Sequence, residues 1–447
     1  MRAVRAMRAM RAYGRIWFQV MADQIRQLFR RSWFQGPGVW IYLALFGIGI
    51  FVGVIQVDML DGVPSHGRYH PSDMDDLQKQ LLGVSARPVV YSAGPDHPAW
   101  LMICGVYQKI SAAFGLSGMR LWNAMVPVML GFNLCLFMAL TRRLGFTLFQ
   151  GLSLTAVFMA TGATITWSVV LETHVLAPTS LLLAALILSH PRLMVRVWSR
   201  PSVYDLGAFG LAIALSASIT ITNAMLGILT ALHARSIRRA QPLCLVEQTV
   251  RRFPPLLIGG LIAIGILALA NLAGWYLWKD PAMRQFLEMF NERHLIPFMT
   301  GSWWDSVVSL AWIAPPLSEY SGTPPETMMA LKRNGATLPA YISAVIVLLL
   351  TLCSIRVTPS RGMFIPTFVL FGVALHSVYG RGESFLYAAN YGWAAVVSVG
   401  ILGRAMAPRY FASIAWAVAL VLFIVNWAIW SAGVDWIIRN DFILPDP

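Results

Sequence analysis

The chain has 447 residues, of which 57% are hydrophobic and 12% charged, and its formal net charge is +14. Apolar runs of about 20 residues recur along it and the mean hydropathy is +0.63, which excludes a water-soluble globule and predicts a polytopic membrane protein. The positive excess lies in short segments between the apolar runs, so it is a topology signal and argues against a nucleic-acid partner.

In chain order, residues 1–37 form a basic arm that opens Met-Arg-Ala-Val-Arg-Ala-Met-Arg, with Arg at every third position. Such spacing spreads charge around a helix and suits anionic lipid head groups. An over-extended start is an equal reading, because Met7, Met10 and Met21 all precede the first span. No short apolar region with a small-residue cleavage site follows, so a cleaved signal peptide is not expected. The predicted fold is all-α, a transmembrane helical bundle of about ten membrane segments. They are 38–57, 118–140, 149–170, 174–190, 207–232, 255–278, 340–355, 362–380, 387–404 and 410–431, in a domain over 38–431 with an outer tail at 432–447.

The loops are sorted by charge. Arg142/Arg143, Arg192/Arg196/Arg200, Arg235/Arg238/Arg239, Arg356/Arg361 and Arg404/Arg409 alternate with acidic loops. The positive-inside rule therefore puts the N-terminus in the cytoplasm and all acids but Asp23, Asp205 and Glu247 outside. Segment 207–232 sits between two basic loops, so a single crossing would strand one of them. Its middle, Ser216 to Asn223, is polar and β-branched. The expectation is two short helices that enter the membrane and return, a backbone tolerated where protein or a watery cavity covers it.

The outer loops, 58–117 and 279–339, carry the candidate chemistry. Asp58 and Asp61 leave the first span at the membrane boundary, where partial desolvation would make either a general base. Arg68 follows, and Asp96-His97-Pro98 enters an amphipathic stretch, Trp100 to Phe114, predicted as a helix lying on the outer surface. Asp96 also suits an N-cap. The second loop contains Trp303, Trp304 and Trp312 and is long for a connection, so short helices over the site are expected. Glu172 and His174, two apart in a tight outer turn, can share a proton, a divalent metal ion or a substrate hydroxyl. In Tyr379-Gly-Arg381-Gly-Glu383, the glycines admit a close backbone approach and Arg381 offers a planar fork to phosphate. Phe385-Leu-Tyr387 follows.

The four cysteines (Cys104, Cys135, Cys244, Cys353) form no CxxC pair, so no disulfide framework or zinc site is implied. No P-loop, dinucleotide fingerprint, HExxH or GxSxG pattern occurs.

Together these elements resemble the GT-C superfamily of polytopic glycosyltransferases that use polyprenyl-phosphate sugars. The likeness rests on the acid after the first span, Asp96-His97-Pro98 opening a surface helix, the Glu172-Thr-His174 turn, and Arg381 to Tyr387, and it extends over about residues 38–430. It departs where Ala99, not a second Pro, follows Pro98, and where the Asp-Glu pair of the first loop is missing. Trp303-Trp304-Asp305 is similar to the WWD triplet of oligosaccharyltransferase catalytic subunits but lacks the Tyr-Gly that follows it there; interfacial tryptophans explain it.

The resemblance implies a bacterial inner-membrane enzyme. Asp58 or Asp61 would be its catalytic base, Arg381 with His97 or Arg68 would hold the lipid phosphate, and Glu172 and His174 would orient the acceptor or hold a metal ion. Asp96, Glu383 and Tyr387 complete the substrate-binding set. The donor would be a polyprenyl-phosphate sugar and the acceptor a lipid or glycan, among membrane lipids. No other cofactor is implied. A flippase or other transporter of lipid-linked saccharide, and an O-antigen ligase or polymerase, are the rival classes.

Overall fold

A computed structural model describes residues 38–61, 99–116, 118–168, 173–199, 201–239, 254–278, 307–308, 310–314, 338–359, 362–378 and 388–439. Among them the structure is helical with no strand. Four helices are α1 (Gly38–Asp61), α2 (Trp100–Phe114), α3 (Gly118–Leu144) and α4 (Leu148–Ala160). Next come α5 (Gly162–Trp167), α6 (Thr173–Leu188), α7 (Pro191–Ser199) and α8 (Val203–Ile219). A 3-10 turn (Ile221–Ala224) leads into α9 (Met225–Arg239) and α10 (Pro254–Trp278). The last are α11 (Leu338–Ile355), α12 (Phe364–Val378), α13 (Ala388–Gly403) and α14 (Pro408–Arg439).

Among the described residues four helical stretches are long and apolar enough to cross a membrane: Gly38–Met59, Arg120–Leu144, Leu338–Ile355 and Pro408–Asp435. A fifth arises if α6 and α7, bent by 70° at their junction, count as one span. The outward faces of these helices are apolar (Trp40, Phe51, Ile342, Leu349, Leu420 and Ile424 are exposed), as a lipid-facing surface requires.

Local sequence sets where helices begin. Thr147 and Gln150 form a capping box on α4: the Gln150 amide donates to Thr147 Oγ1 at 3.3 Å and the Thr147 amide to Gln150 Oε1 at 3.0 Å. Ser202 and Asp205 do the same for α8, and Asp205 also accepts from Arg196 Nε at 2.8 Å. Proline opens α7, α10 and α14, where its missing N–H has no helical partner to lose.

The helices sort into two ends. Val57 and Met59 of α1, Leu121 and Trp122 of α3, Ile165 and Trp167 of α5, Ala388 and Ala389 of α13, and Trp430 and Val434 of α14 pack into one small core with Cys104 and Tyr107 of α2. Each of those helix ends belongs to an apolar run whose end the charge pattern expected outside. Burial pushes the Cys104 thiol above its ordinary value, so it serves as packing and not as a nucleophile.

At the opposite end the arginines cap helices. Arg142 Nη1 donates to Phe146 O at 2.7 Å, Arg143 Nη1 to Leu186 O at 2.5 Å, and Arg404 Nη1 to Leu144 O at 3.1 Å with its guanidinium over the Phe146 ring. The Leu186 and Leu144 carbonyls lie at helix C-termini, where positive charge is also favoured by the dipole, and the Phe146 carbonyl lies in the link from α3 to α4.

Three features differ from, or refine, the sequence reading. The apolar stretch 149–170 is not one helix: it breaks at Thr161, whose hydroxyl caps α5. The cause is part of the second long loop. Val307, Val308, Leu310, Ala311 and Ala314 of that loop are buried. Gly162 N donates to Trp312 O at 2.8 Å, and a Cβ at Gly162 would come within 2.5 Å of Ala314 N. Asn426 of α14, fully buried, closes the joint by donating to Ala160 O and Trp312 O and accepting from Ala314 N.

Segment 207–232 breaks at Thr220, inside the stretch where polar residues predicted it. Gly227 lies so close to Ile213 that a Cβ would meet Ile213 Cγ1 at 2.5 Å. Residues 14 apart on one helix would be separated by about 21 Å, so the chain doubles back and α8 and α9 form a hairpin. The short helix α7 touches both arms. The third feature is α2, which has the predicted bounds but packs most extensively along α10. Its buried side carries Cys104 and Tyr107, while Val106, Ile110 and Phe114 form an exposed apolar stripe.

Candidate functional site

At the end gathered by the small core, α3, α4, α5, α6 and α13 leave a cleft with about 460 Å³ free of protein atoms, its open mouth included. Ala163, Trp167, Ala388 and Ala389 belong to both the small core and the cleft wall. The walls are chiefly apolar and aromatic, with Phe158, Trp167 and Trp393 prominent. Three polar side chains join them: Asn133, Thr164 and Ser168.

Each is positioned by a hydrogen bond. Asn133, 6% exposed in the middle of α3, accepts through Oδ1 from Thr179 Oγ1 at 2.6 Å. Thr164 Oγ1 pairs with Thr161 Oγ1 at 3.0 Å across the helix break. Ser168 Oγ donates to Gln56 Oε1 at 3.0 Å, while Gln56 Nε2 donates to Ile165 O at 2.8 Å. Gln56, 1% exposed, thus ties the end of α1 to the last turn of α5. Pro178 in α6 lines the cleft and has no N–H to give to the carbonyl of His174.

Of the predicted site residues Asp58, Asp61 and His174 are described, and none of the three is among the residues that line this cleft. Helix α1 runs on to Asp61, so Asp58 and Asp61 both lie within its last turn, three positions apart and on one face. Asp58 is exposed at the end of α1. The helix outlasts the apolar run because a membrane boundary does not end a hydrogen-bond ladder. His174 is in the first turn of α6. Arg68, Asp96, His97, Glu172, Arg381, Glu383 and Tyr387 lie outside the described residues. In sequence, Glu172 directly precedes α6 and Tyr387 directly precedes α13, two helices that wall the cleft. Among the described residues no three His, Cys, Asp or Glu side chains gather as a metal site would require.

Gln56, Asn133 and Thr179 were missed by a search for charged groups. Their signal was present: neutral polar residues inside apolar runs, which in a bilayer need partners or a ligand. Against known protein families and curated sequences the chain matches none.

Proposed function

We propose that this chain is a membrane glycosyltransferase that moves a sugar from a polyprenyl-phosphate donor to a lipid or glycan acceptor at the outer face of a bacterial inner membrane. The observation that carries the reading is the convergence at one end of the bundle. The last turn of α5, the first turns of α13 and Pro178 of α6 line a mostly apolar cleft, and Gln56 ties the end of α1 to its wall through Ser168.

In the proposed reaction a carboxylate, Asp58 or Asp61, takes the proton of the acceptor hydroxyl. The oxygen attacks the anomeric carbon, the bond from that carbon to the phosphate oxygen breaks, and polyprenyl phosphate departs with inversion at carbon. Arg381, with His97 or Arg68, would stabilise the departing phosphate by charge-assisted hydrogen bonds. Glu172 and His174 would orient the acceptor or hold a divalent ion, with Asp96, Glu383 and Tyr387 beside them.

The test is transfer from a polyprenyl-phosphate sugar by the detergent-solubilised full chain. A base typically contributes a factor of roughly 100 to 10,000, so Asp58→Asn or Asp61→Asn should lower transfer by about that much. Full activity in both variants removes the proposed base. The interrupted helices α4/α5 and α8/α9 favour a carrier as the second reading. A carrier needs a sealed bilayer to act, so turnover in detergent decides against it.

The same reading includes about ten membrane segments, a cytoplasmic N-terminus, and α8 and α9 as a re-entrant pair with its tip toward the outside. Single cysteines at Arg200 and Arg239 should then label from the same, cytoplasmic side of sealed vesicles. Labelling from opposite sides would make 207–232 one crossing and sink the re-entrant pair.

A further inference from the structure

We infer that the tip of the α8/α9 hairpin binds the phosphoryl head group of a lipid. The tip is where the chain leaves helix at Thr220, whose backbone is extended (φ −139°, ψ 121°), and starts again through Ile221–Ala224 into α9. Thr220 stands at the N-cap position, yet its hydroxyl makes no cap hydrogen bond. Thr220 Oγ1 and Asn223 Nδ2 are both buried without a hydrogen-bond partner among the described residues, and the two side chains are 8% and 5% exposed.

Unmet polar groups of this kind are costly to bury and are rare in folded proteins. Here two of them occur within four residues, at a helix start. Asn223 Nδ2 can only donate and the Thr220 hydroxyl can donate, while the Asn223 backbone amide is already held by Thr220 O at 2.9 Å. Two unmet donors so close in the chain suit an anion, and a tetrahedral oxyanion can accept from both.

The place of the tip argues for a lipid as the carrier of that anion. Ala99 N donates to Ser218 O at 2.9 Å, which fixes the hairpin end beneath the start of α2, at the same end as the cleft. Directly before Ala99 in sequence come Asp96, His97 and Pro98. Beside the tip, α2 offers the exposed stripe Val106, Ile110 and Phe114, and the outer face of α10 is apolar as well. An apolar tail would lie along these helices with its phosphate at the tip. Both donor atoms lie below the surface in this conformation, so the head group enters by parting the tip at Thr220, the one residue there outside any helix. The identity of the lipid as a polyprenyl phosphate rests on the proposed function; the phosphoryl chemistry does not.

The experiment measures binding of decaprenyl monophosphate, decaprenol and phosphatidylglycerol to the detergent-solubilised full chain by native mass spectrometry, with inorganic phosphate as competitor. Decaprenyl monophosphate should bind at least tenfold more tightly than decaprenol. Asn223→Asp, which sets a negative charge at the tip, should erase that preference, and Thr220→Val should weaken it severalfold. Asn223→Lys should strengthen binding and make it more sensitive to salt; this variant decides the matter if Asn223→Asp does not fold. Competition by inorganic phosphate alone would keep the phosphoryl site and remove the tail, whereas preference for phosphatidylglycerol would keep the site and change the lipid. Equal binding of decaprenol and its phosphate overturns the inference, as does unchanged preference in Asn223→Asp. Binding is read without turnover, so a chain that binds through Asn223 but transfers no sugar refutes the glycosyltransferase and leaves this site standing.

Discussion

Replacing Asn426 should be among the most damaging single changes in the bundle, and Asn426→Leu should be worse than Asn426→Ala. The Asn426 amide is the only described side chain that bonds both halves of the joint at Thr161: it donates to Ala160 O at 2.8 Å and to Trp312 O at 2.7 Å, and accepts from Ala314 N at 2.7 Å. Trp312 O keeps a second donor, Gly162 N, so the change strands two backbone groups, Ala160 O and Ala314 N. At roughly 1–3 kcal/mol for each buried group left unmet, the loss is about 2–6 kcal/mol. Alanine leaves room for a water to replace the amide, while leucine fills that room with methyl groups. The order of thermal midpoints in detergent should therefore be wild type, then alanine, then leucine. Equal midpoints for alanine and wild type would mean that 310–314 is held by packing alone. Because Thr161 and Thr164 lie on that joint and Thr164 lines the cleft, both variants should also lower binding of any ligand that occupies the cleft.

Much of the frame was legible because membrane physics writes it in composition. The bounds of α2 and the break between Ser216 and Asn223 follow from apolar periodicity and from a polar run inside an apolar one. The two-ended sorting of charge follows from the loops, and the structure gathers those ends as the alternation requires. What escaped was whatever a distant segment decides. Nothing in 149–170 says that a helix must stop at Thr161; the insertion of 310–314 does, through Gly162 and Asn426. The tie between α1 and α5 escaped for the same reason, since Gln56 bonds to Ile165 and Ser168, more than 100 positions away. A search for ionisable residues passed over the side chains that hold the cleft in shape, which are neutral amides and hydroxyls within the helices. Such groups change no charge count, although burial makes them equally exacting about partners.

The second large effect belongs to the crossing of α1 and α3, because it sets where Asp58 and Asp61 stand. The two helices approach until backbone meets backbone. A Cβ built at Gly49 would come within 2.4 Å of Gly131 Cα, one at Gly131 within 2.5 Å of Phe46 O, and one at Gly53 within 2.7 Å of Pro127 Cα. Backbone atoms cannot swing aside as a side-chain end can, so Gly49→Ala or Gly131→Ala must push the helices apart. Overpacking of this kind costs about 1–3 kcal/mol, and a larger residue such as valine should prevent folding. Gly47 supplies the internal control: it lies on the same helix, and a Cβ there meets nothing within 4 Å. Gly47→Ala should be neutral or stabilising, since alanine is the better helix former by about 1 kcal/mol. The double variant Gly49→Ala/Gly131→Ala should cost less than the two singles added, because the first already opens the gap that the second needs. If α1 carries the base, transfer should fall further than stability does in Gly49→Ala, for a shift of about 1 Å at a reacting group can cost a hundredfold in rate. Gly47→Ala should leave transfer untouched. Equal losses of stability and transfer in Gly49→Ala would leave α1 as a packing element and move the search for the base to another helix.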